Sequence, residues 1–184
     1  MGHAFKLDRG YSALVVIDVQ EKLLPAIYDW ESVLSATVNM VKFAKILNVP
    51  IVVTEQYPRG LGPTHGDIAS LIEPWQPLEK TTFSCFATAG FEAKLNAAAA
   101  KSLVIVGIEA HICVNQTALD ALKRGYNVHI VTDAVGSRSP QNKEIGIEKM
   151  RQAGAIISSS EIALYEWLER AEGKEFKAIL PLIK

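Results

Sequence analysis

The chain has 184 residues, of which 49% are hydrophobic, and a net charge of −1. That length is enough for one domain with a substantial core, expected over residues 1–184. The charge gives no electrostatic case for nucleic acid or an anionic membrane as partner. No apolar run approaches the roughly 20 residues that span a bilayer. The opening segment MGHAFKLDRGYS lacks the apolar stretch of a secretory signal. Two cysteines, Cys85 and Cys113, are too few for a disulfide framework and have no metal-ligand spacing, so a reducing, cytoplasmic setting is expected.

Strand and helix signals alternate along the chain. ALVVIDV (Ala13 to Val19) is a continuous apolar, β-branched run, the pattern of a strand covered on both faces. ESVLSATVNMVKFAKILN (Glu31 to Asn48) carries apolar residues at roughly helical spacing, and Pro50 follows where that helix should end. PIVVTEQ (Pro50 to Gln56) reads as a second buried strand, and Tyr57 to Gly66 as a long irregular loop, a pocket wall or lid. Gly90 to Ala100 reads as a helix, SLVIVG (Ser102 to Gly107) as a central strand, and Cys113 to Arg124 as a helix stopped by Gly125. YNVHIVTD (Tyr126 to Asp133) is a further strand, Gln141 to Ala153 a helix ended by Gly154, AIISSSE (Ala155 to Glu161) a last strand, and Ile162 to about Ala171 a last helix. Such repeats predict an α/β fold, a three-layer α/β/α sandwich on a mostly parallel sheet of Rossmann-like topology. Ligands in such folds lie at the carboxyl ends of the strands, which makes Asp18, Glu55, Glu109 and Asp133 the strand ends of interest.

Asp18 closes the apolar run ALVVI, where a carboxylate is costly unless paired or used. It reads either as a backbone cap or as a general base or charge partner. Cys113 opens a helix six residues after a central strand. There the helix dipole and nearby cations would lower its pKa, and backbone N–H groups could hold an oxyanion. A buried structural cysteine is the other reading, and position alone leaves both open. Lys80, in PLEKTTFSCF, reads as an ordinary solvated lysine until it is set beside Asp18 and Cys113. Together the three form a workable hydrolytic set.

IDVQ (Ile17 to Gln20), KTTFSCF (Lys80 to Phe86) and GIEAHICVNQTALDA (Gly107 to Ala121) resemble, in order and spacing, the three motifs of the isochorismatase-like cysteine hydrolases. TEQYPRGLGPT (Thr54 to Thr64), GSRS (Gly136 to Ser139) and the C-terminal EFKAILPLIK are similar to the isochorismatase-domain-containing branch, most of whose members lack a known substrate. The resemblance implies that Cys113 is the nucleophile, Asp18 its base and Lys80 the group that orients Asp18. It also implies a cis Ile108–Glu109 peptide, with an oxyanion hole from the N–H groups of Glu109 and Cys113. Nicotinamidases of this superfamily bind a metal through an Asp and spaced histidines. Here His65 stands alone in the matching stretch, so no metal and no cofactor are expected. The cysteine favours acyl chemistry through a thioester over vinyl-ether hydrolysis of the isochorismate type. Ala110 stands where the family often has Thr, which removes one polar contact near the proposed oxyanion hole.

Gln20, Glu55, Gln56, Tyr57, Phe83 and His111 are further pocket candidates, each also readable as packing or surface; Cys85 reads as buried packing. The expected function is cysteine-dependent hydrolysis of a small amide-like or acyl substrate. The rivals are a non-catalytic binding module on the same fold, and redox sensing by Cys113. The resemblance implies a homo-oligomer, and the apolar AILPLI segment reads either as covered by a partner subunit or as packed on its own domain.

Overall fold

In the computed structural model, residues 5–183 are described; the first four residues of the opening segment and Lys184 lie outside them. Strands β1 (Ser12–Ile17) and β4 (Ser102–Ile108) are buried along their whole length, as their unbroken apolar sequences require. They pair in parallel, Ile17 beside Gly107. Strands β2 (Ile51–Gln56) and β3 (Leu78–Lys80) extend the sheet on one side. Strands β5 (Asn127–Gly136) and β6 (Ile156–Ser158) extend it on the other. The order is β3-β2-β1-β4-β5-β6, and every pairing is parallel.

Helices α1 (Trp30–Ile46), α2 (Pro58–Leu61), α3 (Gly66–Ala69) and α4 (Phe91–Ala97) precede β4. Helices α5 (Asn115–Lys123), α6 (Pro140–Gln152), α7 (Ser160–Leu168) and α8 (Gly173–Ile179) follow it. The strand pleat sorts the core into two halves. Leu14 and Val16 of β1 face the half built by Met40 and Val41 of α1, Trp167 of α7 and Ile179 of α8. Ala13, Val15 and Ile17 face the half built by Phe91 of α4, Ala118 of α5 and Met150 of α6. Helices thus cover both faces of the sheet. The chain winds outward in both directions from β1 and β4, and at that switch point the carboxyl ends of two adjacent strands open a crevice.

Local chemistry sets the helix boundaries. The Ser139 hydroxyl accepts from the N–H of Asn142 at 3.3 Å, and Pro140 occupies the first turn of α6. The Ser159 hydroxyl caps α7 through the N–H of Ile162 at 3.2 Å.

Several expectations need correction. The stretch from Tyr57 to Gly66 is not irregular throughout: it contains α2 and reaches α3, and an antiparallel bridge joins Gln20 to Thr64. Strand β5 runs three residues beyond Asp133. Strand β3 and helix α8 were not expected at all. Of the two readings of the AILPLI segment, packing on its own domain holds for Ile179, which is fully buried, and for Leu182 and Ile183, which lie against the α1 side of the core.

Candidate active site

The crevice between β1 and β4 gathers Asp18, Lys80 and Cys113. Asp18 follows β1 directly and is fully buried, with a left-handed backbone (φ 55°) that is uncommon for a residue other than glycine. Its N–H donates to the Thr54 carbonyl at 3.1 Å, which continues the β1–β2 ladder. Its carboxylate accepts on both oxygens: Oδ1 from the Thr54 hydroxyl at 2.7 Å and Oδ2 from the Lys80 ammonium at 2.6 Å.

Lys80 closes the short edge strand β3, and its side chain is as buried as that of Asp18. Its ammonium also donates to Gln56 Oε1 at 2.7 Å and to the Thr82 carbonyl at 3.3 Å, so its three protons are committed. Burial pulls its pKa down, but the Asp18 charge, and to a smaller extent Cys113, more than offset this, and the net shift is upward. Lys80 is a fixed positive charge that keeps its proton.

Cys113 is 6% exposed and lies in a π-helical turn, Ala110–Val114, that leads into α5. The N–H groups of Ile112 and Val114 both donate to the Glu109 carbonyl, at 3.0 and 3.2 Å. The cysteine was expected to open the α-helix; it precedes α5 by two residues instead. The Ile108–Glu109 peptide before this turn is cis.

The expected low thiol pKa is overturned. Burial first, and then the Asp18 charge, push the Cys113 thiol up to about 12, against a weaker downward pull from Lys80. With burial and the Asp18 charge outweighing the Lys80 charge, the resting form of Cys113 at neutral pH is the thiol.

Two glycines make the close packing possible. A Cβ on Gly107 would stand 2.1 Å from the Ile17 carbonyl oxygen, and its φ is +118°. A Cβ on Gly146 would stand 2.8 Å from the Cα of His111, so only a glycine lets α6 rest against the π-helical turn.

The pocket candidates separate by what their side chains touch. Gln20 is fully buried, and its amide is spent on backbone: it donates to the carbonyls of Gln56 (3.0 Å) and Gly62 (2.6 Å) and accepts from the Gln56 N–H (2.7 Å). Glu55 accepts from the N–H (2.7 Å) and hydroxyl (2.8 Å) of Thr64. These two hold the segment from Gln56 to Thr64 in place, the packing side of their two readings. Gln56 supports Lys80.

Tyr57 and Phe83 are about half exposed, and Tyr57 lines a surface hollow shared with Arg59 and Lys80. His111, in the π-helical turn, is hydrogen-bonded through Nδ1 to the Ser137 hydroxyl at 3.0 Å. The buried Glu109 carboxylate receives the backbone N–H of Arg138 (2.9 Å) and its Nε (3.1 Å). Asp133 accepts from the N–H of Ser160 at 2.9 Å and from its hydroxyl, at the start of α7.

His65 accepts from the Asp67 N–H at 3.3 Å to start α3. Among the described residues no group of three His, Cys, Asp or Glu side chains could hold a metal ion. Cys85 is fully buried, as read from its setting, and burial pushes its thiol up to about 11.

Thr54, which bonds Asp18, and Arg138, which bonds Glu109, were not singled out within the quoted motifs. Threonine in a β-branched strand reads as a strand former, and only the pairing of Thr54 beside Ile17 brings its hydroxyl to Asp18.

The isochorismatase domain family matches residues 12–162. The human protein named isochorismatase domain-containing protein 2 is 39% identical over 176 residues, covering 95% of this chain and 84% of that one. A Phytophthora sojae protein named secreted isochorismatase effector Isc1 is 41% identical over 178 residues, covering 94% of this chain and 84% of that one. Among solved structures, the MAR1 ribonuclease from Caenorhabditis elegans is similar with a TM-score of 0.91 at 37% identity, covering 97% of this chain and 92% of that one.

Proposed function

The chain belongs to the isochorismatase domain family, and from that premise we propose that it is a hydrolase that attacks a small amide-like or acyl substrate with the Cys113 thiol. The observation that carries the reading is the buried Lys80–Asp18 pair, 2.6 Å apart and coupled to a nearly buried thiol. A buried ion pair contributes little to stability when set against a well-packed apolar alternative, so function is a better account of its presence.

The raised thiol pKa dictates the order of events. Asp18 takes the Cys113 proton as the sulfur–carbon bond forms and the carbonyl electron pair moves onto oxygen. The oxyanion is held by the N–H groups of Glu109 and Cys113. The carbon–nitrogen bond then breaks, and the leaving amine takes the proton from Asp18. Water attacks the thioester and gives a proton to Asp18. The carbon–sulfur bond breaks, and the thiolate regains that proton. Lys80 keeps its charge throughout and favours the carboxylate form of Asp18 between transfers. The scheme calls for no metal or cofactor.

Ribonuclease is the name of the C. elegans protein; for this chain a net charge of −1 and a thiol 6% exposed support a small molecule over a nucleic acid or membrane partner. Cytoplasmic residence and homo-oligomeric assembly belong to the proposal; the former rests on the two unpaired thiols and the latter on the family resemblance.

Replacing Cys113 with Ala tests the reading directly, with a panel of short amides and esters as substrates. Turnover should vanish while the circular dichroism spectrum stays that of the wild type. Undiminished hydrolysis in that variant would sink the proposal.

A further inference from the structure

We propose that Thr54 is a positioning residue for Asp18, and that Cys85 and Thr117 tie it to α5, the helix that follows Cys113. The proposal rests on the reading of Asp18 as base. Thr54 is fully buried, so its hydroxyl serves other protein groups and does not reach substrate. A hydroxyl has a single proton to give. The Cys85 thiol donates to Thr54 Oγ1 at 3.8 Å, and Thr54 gives its own proton to Asp18 Oδ1 at 2.7 Å. The Cys85 N–H in turn donates to the Thr117 hydroxyl at 3.1 Å. Thr117 lies four residues beyond Cys113, about one helical turn further on. The resulting chain, Thr117 to Cys85 to Thr54 to Asp18, runs between the helix that follows the nucleophile and the base.

Asp18 needs such a hold. Lys80 grips only Oδ2, and an ammonium is a point charge that leaves the carboxylate free to rotate about it. A second donor on Oδ1 fixes the carboxylate plane. Strand β2 supplies both supports from one face two residues apart, Thr54 to Asp18 and Gln56 to Lys80. Valine at position 54 would keep the shape and the strand preference, leaving Oδ1 and the Cys85 thiol without their partner.

The test uses p-nitrophenyl acetate as an acyl donor to the intact protein, reading nitrophenolate release and the acetylated Cys113 peptide by mass spectrometry. Thr54→Val should lower the acylation rate at saturating ester by about tenfold or more, with the half-saturating concentration changed less than about twofold. Thr54→Ser, which restores the hydroxyl, should return the rate to within about threefold of wild type. A purely packing role predicts the reverse ranking, since serine leaves a methyl-sized void and valine does not. Thr54→Val acylating within about twofold of wild type, with Asp18→Asn failing to turn the ester over alongside, would overturn the Thr54 assignment and leave the base assignment standing. Asp18→Asn turning the ester over at the wild-type rate, or a wild-type Cys113 that takes no acetyl group, would overturn the underlying reading and this proposal with it.

Discussion

Asp18→Asn should push two properties of Cys113 in opposite directions. In the wild type the thiol is held at about 12, by burial first and by the Asp18 charge second, with Lys80 opposing. The substitution leaves the burial, removes the negative charge and leaves the positive one. Two unit charges about 5 Å apart at an effective dielectric constant near 20 interact by roughly 3 kcal/mol. That corresponds to about two pH units. The thiolate fraction at pH 8 would rise about a hundredfold, and the lower intrinsic nucleophilicity of the more acidic thiol would trim the gain in reactivity to about tenfold. Turnover should fall by about 10²–10⁴, the usual contribution of a general base. The assay is iodoacetamide alkylation between pH 7 and 10, read at the Cys113 peptide, beside hydrolysis of the best panel substrate. The wild-type alkylation rate should climb through that whole range without a plateau. Alkylation that falls in step with turnover would refute the reasoning, because it would mean that removing the Asp18 charge does not free the thiolate.

Stability above pH 9 should carry the signature of the two buried thiols. Cys85 and Cys113 are raised from 9.0 to about 11 and about 12, so between those values and 9 the unfolded chain releases protons that the folded chain keeps, and stability falls as pH rises. Cys85→Ala removes one such proton, and urea unfolding between pH 9 and 11 should show a slope shallower by up to about 1.4 kcal/mol per pH unit; an unchanged slope would contradict the burial argument. Gly107→Ala should cost more than about 3 kcal/mol, because its methyl group would meet the Ile17 carbonyl at 2.1 Å in a backbone conformation that alanine avoids. A variant with a wild-type unfolding midpoint would show that β1 and β4 can separate freely beside the site.

The central strands were legible because parallel strands covered on both faces carry unbroken β-branched runs, and the switch-point rule then directed attention to Asp18 and to the turn after β4. Strand β3 was not, since LEK is short, follows Pro77 and draws its pairing from β2 rather than from its own residues. The end of β5 was misread because Asp133 looks like a terminator, whereas its carboxylate is exposed and bonds the start of α7. Gln20 and Glu55 carried the right chemistry for a pocket, but their partners, 36 and 42 residues away for Gln20 and nine for Glu55, could be found only in the folded chain. The thiol pKa reversed sign for a similar reason. Sequence offers the helix beside Cys113, while the burial and the Asp18 charge that outweigh it come from β1 and the second half of the core.

The most direct test of the account is to quench the enzyme with acid during turnover of a slow acyl substrate and weigh the intact chain and its Cys113 peptide. The account predicts an acyl group on Cys113 that forms and decays at the rate of turnover, and none in Cys113→Ala. Turnover with no adduct on Cys113 at any time, or an adduct on another residue that decays at the turnover rate, would contradict it.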